Sequence, residues 1–218
     1  MRRPYRLALA CLLPCVVRAQ DPAQTPHKPT FSPDKKWEYR VEAETAVIVK
    51  AGSDATDLDL SEEIGYLAGE TGKLVWAPDS RRFAFNCRKG GKYYGCDLYE
   101  LVGGAWKKLP ELEGNAKTVN QIIKRSKQQQ MKRLGAKKDA DPNSVMDQWR
   151  VRRWLDNDTF EAYARSEARV MISPSSEDPE YFQAAVLFTV KCDNRGGWKV
   201  VEGRLLSDAE DEKINEEE

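Results

Sequence analysis

Histidine is nearly missing from this chain. Among its 218 residues only His27 is a histidine, and it stands in the proline-rich stretch PAQTPHKP, residues 22–29. A Ser-His-Asp or Cys-His arrangement therefore has no well-placed base, and zinc sites built from histidine and cysteine are equally hard to assemble. No Walker-type loop or dinucleotide fingerprint occurs either. The sequence thus predicts no catalytic residue, no cofactor and no metal ion, although its 35 acidic residues leave a carboxylate pair open.

A long apolar run is also missing. The N-terminal stretch Leu7–Val17 contains 11 residues, including Pro14, whereas a helix that spans a bilayer needs about 20. Val17 and Ala19 are suitable small residues before a cleavage site, and the stretch is preceded by three arginines, Arg2, Arg3 and Arg6. This arrangement is typical of a secretory signal peptide, residues 1–19. We therefore expect an exported protein, periplasmic or secreted, without a membrane span after cleavage.

Neither sign of charge is in large excess. The chain has 35 Lys and Arg residues and 35 Asp and Glu residues; without the four arginines of the leader, 31 basic residues face 35 acidic ones. A mildly acidic exported protein has no global reason to bind nucleic acid. Residues 20–30 are expected to form a flexible lead, and the remaining length suits one domain or two small ones.

Cysteine is scarce as well. After signal cleavage only Cys87, Cys96 and Cys192 remain, and the first two flank a predicted hairpin. If the hairpin turns at residues 91–92, Cys87 lies opposite Cys96 at a spacing that suits a disulfide. If it turns at residues 90–91, the two cysteines lie diagonally. We predict a Cys87–Cys96 disulfide as one outcome, and two half-buried free thiols as the alternative.

Two stretches, residues 31–40 and 76–85, repeat one pattern. FSPDKKWEYR and WAPDSRRFAF both place an aromatic residue, a small residue, Pro and Asp before an alternating strand, and their prolines are 45 residues apart, close to the length of a propeller blade. Proline fixes φ early in a turn, and Asp accepts hydrogen bonds from amides just ahead. The predicted turn residues are Ser32, Pro33 and Asp34 in the first copy and Ala77, Pro78 and Asp79 in the second.

A third, more diverged copy is WLDNDTFEAYA, which begins at Trp154. It keeps the order of aromatic residue, turn and strand but lacks the proline. Asp156 and Asp158 fall far short of a full set of calcium ligands. We therefore interpret this pair as turn-forming.

The segments that follow the second and third copies also match. LYELVGGAWKKL, residues 98–109, and LFTVKCDNRGGWKVV, residues 187–201, both run from an alternating strand through a glycine turn into Trp-Lys. The chain therefore predicts two four-stranded antiparallel units, near 76–109 and 154–202, and an incomplete unit that begins at Phe31.

These repeats resemble the TolB-type, WD-repeat-like β-propeller repeat, in which an aromatic–Ser–Pro–Asp turn leads into a strand of each blade. The resemblance implies blade-like sheets and brings no catalytic residues with it, since fold does not determine function. Propellers close with about four to eight blades, more than this chain supplies. We expect residues 31–206 to form a mainly β (α+β) domain of blade-like antiparallel sheets that is not a closed propeller.

One helix is predicted within this domain and another at its end. Asn115–Leu134 lacks proline and internal glycine and has apolar residues at helical spacing. Its apolar stripe is narrow, which predicts a helix inserted on the surface of a sheet, residues 115–135. The acidic tail 207–218 opens with Ser207 and Glu210 at capping-box spacing and predicts a short C-terminal helix.

Charge is concentrated in the second half of the chain. From Asn115 to Lys138 there are eight basic residues and no acidic one, whereas the tail from Ser207 carries seven acidic residues and one lysine. QWRVRRWL, residues 148–155, interleaves aromatic residues with arginines. A candidate binding face for an acidic partner, shielded by the tail, contains Lys124, Arg125, Lys132, Arg133, Trp149, Arg150 and Arg152. The alternative is a solvated helix and tail, with QWRVRRWL as a half-buried strand.

The main functional hypothesis is an exported, non-catalytic, β-rich binding module for an unidentified protein or glycan partner in the cell envelope. Two alternatives stay open. One is a carboxylate-dependent hydrolase of envelope glycans, and the other is an inhibitor of an exported enzyme.

Overall fold

The structure, a computed structural model, describes residues 30–42, 45–64, 72–136, 143–172 and 178–217. The predicted signal peptide and nearly all of the predicted lead lie outside these ranges. The described residues form a mainly β fold with two sheets, neither of which closes into a propeller. The predicted fold class is therefore confirmed.

The strands form three consecutive four-stranded antiparallel units, here named A, B and C. Unit A comprises β1 (Thr30–Phe31), β2 (Trp37–Glu42), β3 (Thr45–Lys50) and β4 (Thr56–Asp59). Unit B comprises β5 (Lys73–Trp76), β6 (Arg82–Gly90), β7 (Tyr93–Val102) and β8 (Ala105–Lys108). Unit C comprises β9 (Asn143–Trp154), β10 (Thr159–Val170), β11 (Glu180–Cys192) and β12 (Trp198–Leu205). Unit A is a separate sheet, whereas a short parallel pairing of β7 with β9 joins units B and C.

The first two repeat turns have the same backbone geometry. Lys35 and Ser80 follow the Pro-Asp pairs and both adopt left-handed backbone angles, with φ of 62° and 61°. Asp34 and Asp79 each accept the backbone N–H two residues ahead, over 3.1 and 3.0 Å. The turns also touch, because the backbone N–H of Asp34 donates to Oγ of Ser80 over 3.0 Å. Turn chemistry therefore shapes units A and B and holds them side by side.

The third turn uses the same device without proline. Asp156 accepts the backbone N–H of Asp158 over 2.8 Å, as expected for a turn-forming residue. The carboxylate of Asp158 lies 2.5 Å from the guanidinium of Arg82, which also lies 2.5 Å from Glu100. Arg82 is the first residue of β6 and is only 7% exposed. An ion pair between the buried Arg82 and the half-exposed Asp158 therefore joins unit B to unit C.

Unit B buries both faces of its sheet. Side chains alternate along β6, so Phe83, Phe85 and Cys87 point toward unit A, while Ala84 points toward unit C. The core between units A and B, here the A–B core, contains an aromatic cluster with ring centroids 4.9–5.8 Å apart: Trp37, Trp76, Phe83, Tyr99 and Trp106. The core between units B and C, here the B–C core, contains Leu98, Val151, Phe160, Val186 and Phe188.

Three helices accompany the sheets in the described part of the chain. They are α1 (Leu112–Asn115), α2 (Lys117–Arg133) and α3 (Asp208–Glu216). Val119 and Ile123 anchor α2 on the B–C core, and the helix is followed by Gly135 with a φ of +73°. The structure thus contains the predicted surface helix and the predicted C-terminal helix, while α1 was not predicted.

The two end units do not leave apolar faces open. On unit A, the outer face combines Val47 and the 2%-exposed Val49 with their cross-strand partners Arg40 and Glu38. Arg40 lies 2.9 Å from Glu38 and 3.2 Å from Asp54, so an ion-pair network lies beside these valines. On unit C, α3 packs over the outer face, where Tyr163 and Ile214 join a small apolar cluster. Propeller closure is therefore not needed to bury the strands.

The predicted Cys87–Cys96 disulfide is wrong. The hairpin does turn at residues 91–92, but a bulge at Lys89 shifts the register by one residue, so that Cys87 lies opposite Gly95. A one-residue shift moves a side chain to the other face of a sheet. Cys87 consequently lies in the A–B core and Cys96 in the B–C core, and both are buried free thiols.

The thiols give a direct test of this register. Burial raises the pKa of Cys87 to about 12 and that of Cys192 to about 11, and it also raises the pKa of Cys96. We expect protein that begins at residue 20 to react with three equivalents of iodoacetamide when it is denatured without reductant. The native protein at pH 8 should react slowly, since its thiols are buried and protonated. Fewer than three reactive thiols in the denatured protein would contradict the assigned register.

The left-handed turn position gives a second test. A left-handed backbone conformation costs a non-glycine residue about 1–2 kcal/mol of folding free energy. Glycine avoids part of this cost. We expect Lys35→Gly to raise the free energy of unfolding by about 0.5–1 kcal/mol. The neighbouring change Lys36→Gly should lower it, because Lys36 does not have a positive φ. Urea denaturation would measure both, and equal destabilisation by both changes would argue against this turn geometry.

Candidate binding surfaces

The structure divides the predicted binding face between two surfaces. Strand alternation separates the residues of QWRVRRWL: Trp149 is 3% exposed and lies in the B–C core, whereas Arg150 and Arg152 point to the outer face of unit C. The prediction that these residues form one binding face together with those of α2 is therefore wrong. The alternative, in which QWRVRRWL is a half-buried strand, is confirmed. The other predicted residues are exposed on α2: Lys124, Arg125, Lys132 and Arg133.

Four exposed cations of α2 form what we call the α2 surface: Lys117, Lys124, Arg125 and Lys132. On a regular helix they fall within an arc of about 100° and along about 22 Å of the axis. No acidic residue occurs from Asn115 to Lys138, so the helix has no internal carboxylate to neutralise them. Arg133 points elsewhere, toward a groove between α2 and α3.

The inward side of α2 is fixed by polar contacts that the sequence did not predict. Lys127 donates from Nζ to Oγ of Ser166 over 2.5 Å, and the Ser166 hydroxyl in turn donates to the carboxylate of Asp147. Burial lowers the pKa of Lys127, and the nearby Asp147 charge only partly offsets that effect. Gln130 donates to the backbone carbonyl of Gln183 over 2.5 Å. These bonds hold α2 at a defined position on β10 and β11.

The outer face of unit C carries a group that we call the arginine face: Arg150 and Arg152 on β9, and Tyr163 and Arg165 on β10. Arg150 and Tyr163 are cross-strand partners, and the guanidinium lies over the ring, 4.4 Å from its centroid. Tyr163 is fully buried. The pairing therefore combines a cation–π contact with a closely packed aromatic floor.

The centre of the arginine face is bound by α3. The Tyr163 hydroxyl donates to Oδ1 of Asp211 over 2.5 Å, and Nε of Arg165 lies 3.5 Å from Oδ2 of the same carboxylate. Asp211 is 3% exposed. Burial and the hydrogen bond to Asp211 raise the pKa of Tyr163, so the phenol stays a hydrogen-bond donor at neutral pH.

The periphery of the arginine face also contacts the tail. Arg150 donates to Oδ1 of Asn215 over 3.1 Å, and Arg152 lies 2.8 Å from Glu217. The acidic tail was predicted to shield the basic helix. Among the described residues, α3 instead covers the arginine face and leaves the α2 surface exposed. A groove of about 470 Å³ runs beside α3 and is lined in part by Arg165, Asp211 and Asn215.

The N-terminus of α3 is the predicted capping box. The Ser207 side chain accepts the backbone N–H of Glu210, and the Glu210 carboxylate accepts the backbone N–H of Ser207. Arg204 also lies 2.8 Å from Glu210. Hydrogen bonds from Ser207 and then from Arg204 lower the pKa of Glu210 to about 2.

A pair of carboxylates, the buried Asp97 and the partly exposed Glu63, lies elsewhere, at the junction of units A and B. Asp97 on β7 is 1% exposed, with Oδ1 2.6 Å from Lys89 and 3.2 Å from Lys108. Glu63 lies 2.7 Å from the same Lys108 amine and accepts a hydrogen bond from Tyr99 over 3.3 Å. Burial raises the pKa of Asp97. Burial is also the largest single effect on Glu63 and acts in the same direction. The hydrogen bonds with Lys108 and Asp97 and the charges of Lys108 and Lys89 together outweigh it, so the pKa of Glu63 is lowered.

Two neighbouring carboxyl groups, one with a raised pKa and one with a lowered pKa, are the arrangement expected for a general acid and a general base. However, a reacting group must touch its substrate, and Asp97 is enclosed by strands and lysine side chains. The cluster instead ties Glu63, which lies in a 3₁₀ turn after β4, to Tyr99 on β7 and Lys108 on β8 of unit B. We therefore assign this cluster a structural role in joining units A and B.

No protein-family model matches the chain, and no curated protein matches it significantly. The resemblance to propeller repeats therefore rests on the turn motifs and the four-stranded units and stays a prediction.

Two further features bear on the kind of site. Within the described ranges, no group of three or more His, Cys, Asp or Glu side chains is placed to hold a metal ion. Nor does any helix in those ranges have the length and apolar character needed to cross a membrane.

The structural role of Asp97 can be tested by isosteric replacement. Asp97→Asn removes the charge that two lysines share, and we expect it to lower the free energy of unfolding by about 2 kcal/mol. The matched change Glu63→Gln should cost less than about 1 kcal/mol, because Glu63 is partly exposed. Urea denaturation of the two variants gives the comparison. An Asp97→Asn protein as stable as the parent would disprove the proposed role.

The capping box predicts a pH dependence of α3. Because the folded pKa of Glu210 lies below its ordinary value of 4.5, its stabilising effect is complete above about pH 4.5 and is lost as pH falls toward 2. We expect the protection factors of the α3 amides, measured by NMR and corrected for the intrinsic pH dependence of amide exchange, to fall over this range. Glu210→Gln should remove that dependence, whereas an unchanged pH profile in this variant would show that another group is responsible.

Proposed function

We propose that this chain is an exported, non-catalytic binding module that recognises an acidic protein or glycan partner through the α2 surface. The observation that carries this proposal is the exposed row of Lys and Arg side chains on α2, a helix that contains no acidic residue. The opposite side of this helix is bound to unit C. Charges held in a fixed row recognise a complementary surface without a large ordering cost. Clustered charges of one sign also accelerate encounter with oppositely charged partners.

The anchoring of α2 supports a recognition role over a purely solubilising one. Val119 and Ile123 bind the helix to the B–C core, and Lys127 and Gln130 bind it to β10 and β11. The cations on the opposite side consequently share one orientation. The leader pattern at residues 1–19 supports export, which places the proposed partner in the cell envelope or outside the cell.

The proposal is tested with a variant in which Lys117, Lys124, Arg125 and Lys132 are changed to Gln. A matched control changes four exposed lysines outside α2, namely Lys73, Lys107, Lys191 and Lys199, and alters net charge equally. Binding to immobilised polyglutamate and to an acidic polysaccharide is measured as a function of salt. We expect the α2 variant to lose at least about tenfold in affinity and to show a shallower salt dependence.

The control variant should retain most of the parent affinity. Equal losses in the two variants would show that only net charge matters and would overturn the proposal. Absence of salt-dependent binding by the parent protein to either probe would overturn it as well.

A further inference from the structure

The composition of the arginine face is that of a protein-binding hot spot. Tyrosine and arginine are enriched among residues that dominate binding energy, especially when they are packed and desolvated. Here Arg150 stacks on the buried Tyr163 ring, and Arg165 lies beside it with 18% of its side chain exposed. Ala185 and the partly buried Leu187 complete an apolar floor. Such a face provides both charge and shape for a ligand.

The present occupant, α3, is held by few buried side chains. It spans nine residues, of which only Asp211 and Ile214 are buried, and isolated helices shorter than about 12 residues are marginal in water. Its outer ion pairs are solvent-exposed, with Glu217 and Glu210 at 48% and 46% side-chain exposure. Exposed pairs of this kind contribute about 0–1 kcal/mol each. Local release of α3 therefore requires much less free energy than unfolding of the sheets.

We propose that the arginine face is a second binding site, which accepts an acidic amphipathic helix of a partner protein, and that α3 is its releasable internal occupant. This site is separate from the α2 surface, because the two lie on opposite faces of unit C.

The contacts of α3 define the chemistry of the partner helix. Asp211, Ile214 and Asn215 lie at positions i, i+3 and i+4, which share one side of a helix. They supply a carboxylate to Tyr163 and Arg165, an apolar side chain to the floor, and an amide to Arg150. A flexible polyanion has no side chain to replace Ile214 and no fixed spacing to place the carboxylate. The face therefore favours a helical protein segment.

The test uses the full chain with Asp211→Ala and Ile214→Ala, which removes the two buried contacts of α3 while leaving the strands unchanged. Isotope-labelled protein is titrated by NMR with a synthetic peptide of residues 207–218. We expect shifts at the amides of Tyr163 and Arg165 in this variant at peptide concentrations at least about tenfold lower than in the parent, where attached α3 competes at high effective concentration. Adding Arg165→Gln to the variant should abolish the shifts.

Two controls separate specific docking from charge attraction and from misfolding. A scrambled peptide of the same composition should not bind, and binding equal to that of the native peptide would overturn the proposal. Unchanged amide shifts in unit B would establish that the variant is folded, so that failure to bind the native peptide would also overturn it. The α2 variant described above should leave peptide binding intact, which keeps this test independent of the proposed function.

Discussion

Burial of unit B from both sides is the constraint on which the rest of the structure depends. A four-stranded antiparallel sheet usually protects one face and leaves the other to water. Here β6 and β7 alternate between two cores, so units A and C must both be present to cover them. Arg82 and the Asp34–Ser80 contact then hold the three units at their turn ends. The chain is consequently one cooperative stack rather than a set of independent repeats.

Much of this architecture could be predicted because it depends on short-range chemistry. Pro-Asp turns, alternating strands, glycine turns and a capping box each leave a local sequence pattern. The hairpin register could not be predicted, since a single bulged residue, Lys89, places the two cysteines on opposite faces of the sheet. The sequence analysis also did not predict that β9 begins at Asn143. The first residues of this strand are mostly polar, and they come before the repeat turn that was used to recognise the unit.

The candidate surfaces were only partly predictable. The row of cations on α2 follows from helical spacing, and its exposure agrees with that spacing. For Trp149 the sequence left two alternatives open, because aromatic–basic interleaving looks the same in a binding strip and in a half-buried strand. For the Glu63–Asp97 pair, the sequence contains one indication. Asp97 occupies an inward position in an alternating strand, where a charged side chain requires partners. Which residues supply those partners depends on contacts between distant segments, and a single sequence does not record them.

The position of α3 has a consequence for the length of the stack. Sheets in a repeat array can continue to add neighbours until a terminal element presents a polar outer surface. By covering the outer face of unit C with a charged helix, α3 acts as an end cap in the same sense as the terminal repeats of solenoids. At the other end, the ion pairs of Arg40 with Glu38 and Asp54 lie on the outer face of unit A. In the described part of the chain, the outer faces of the two end units are thus covered without closure into a ring.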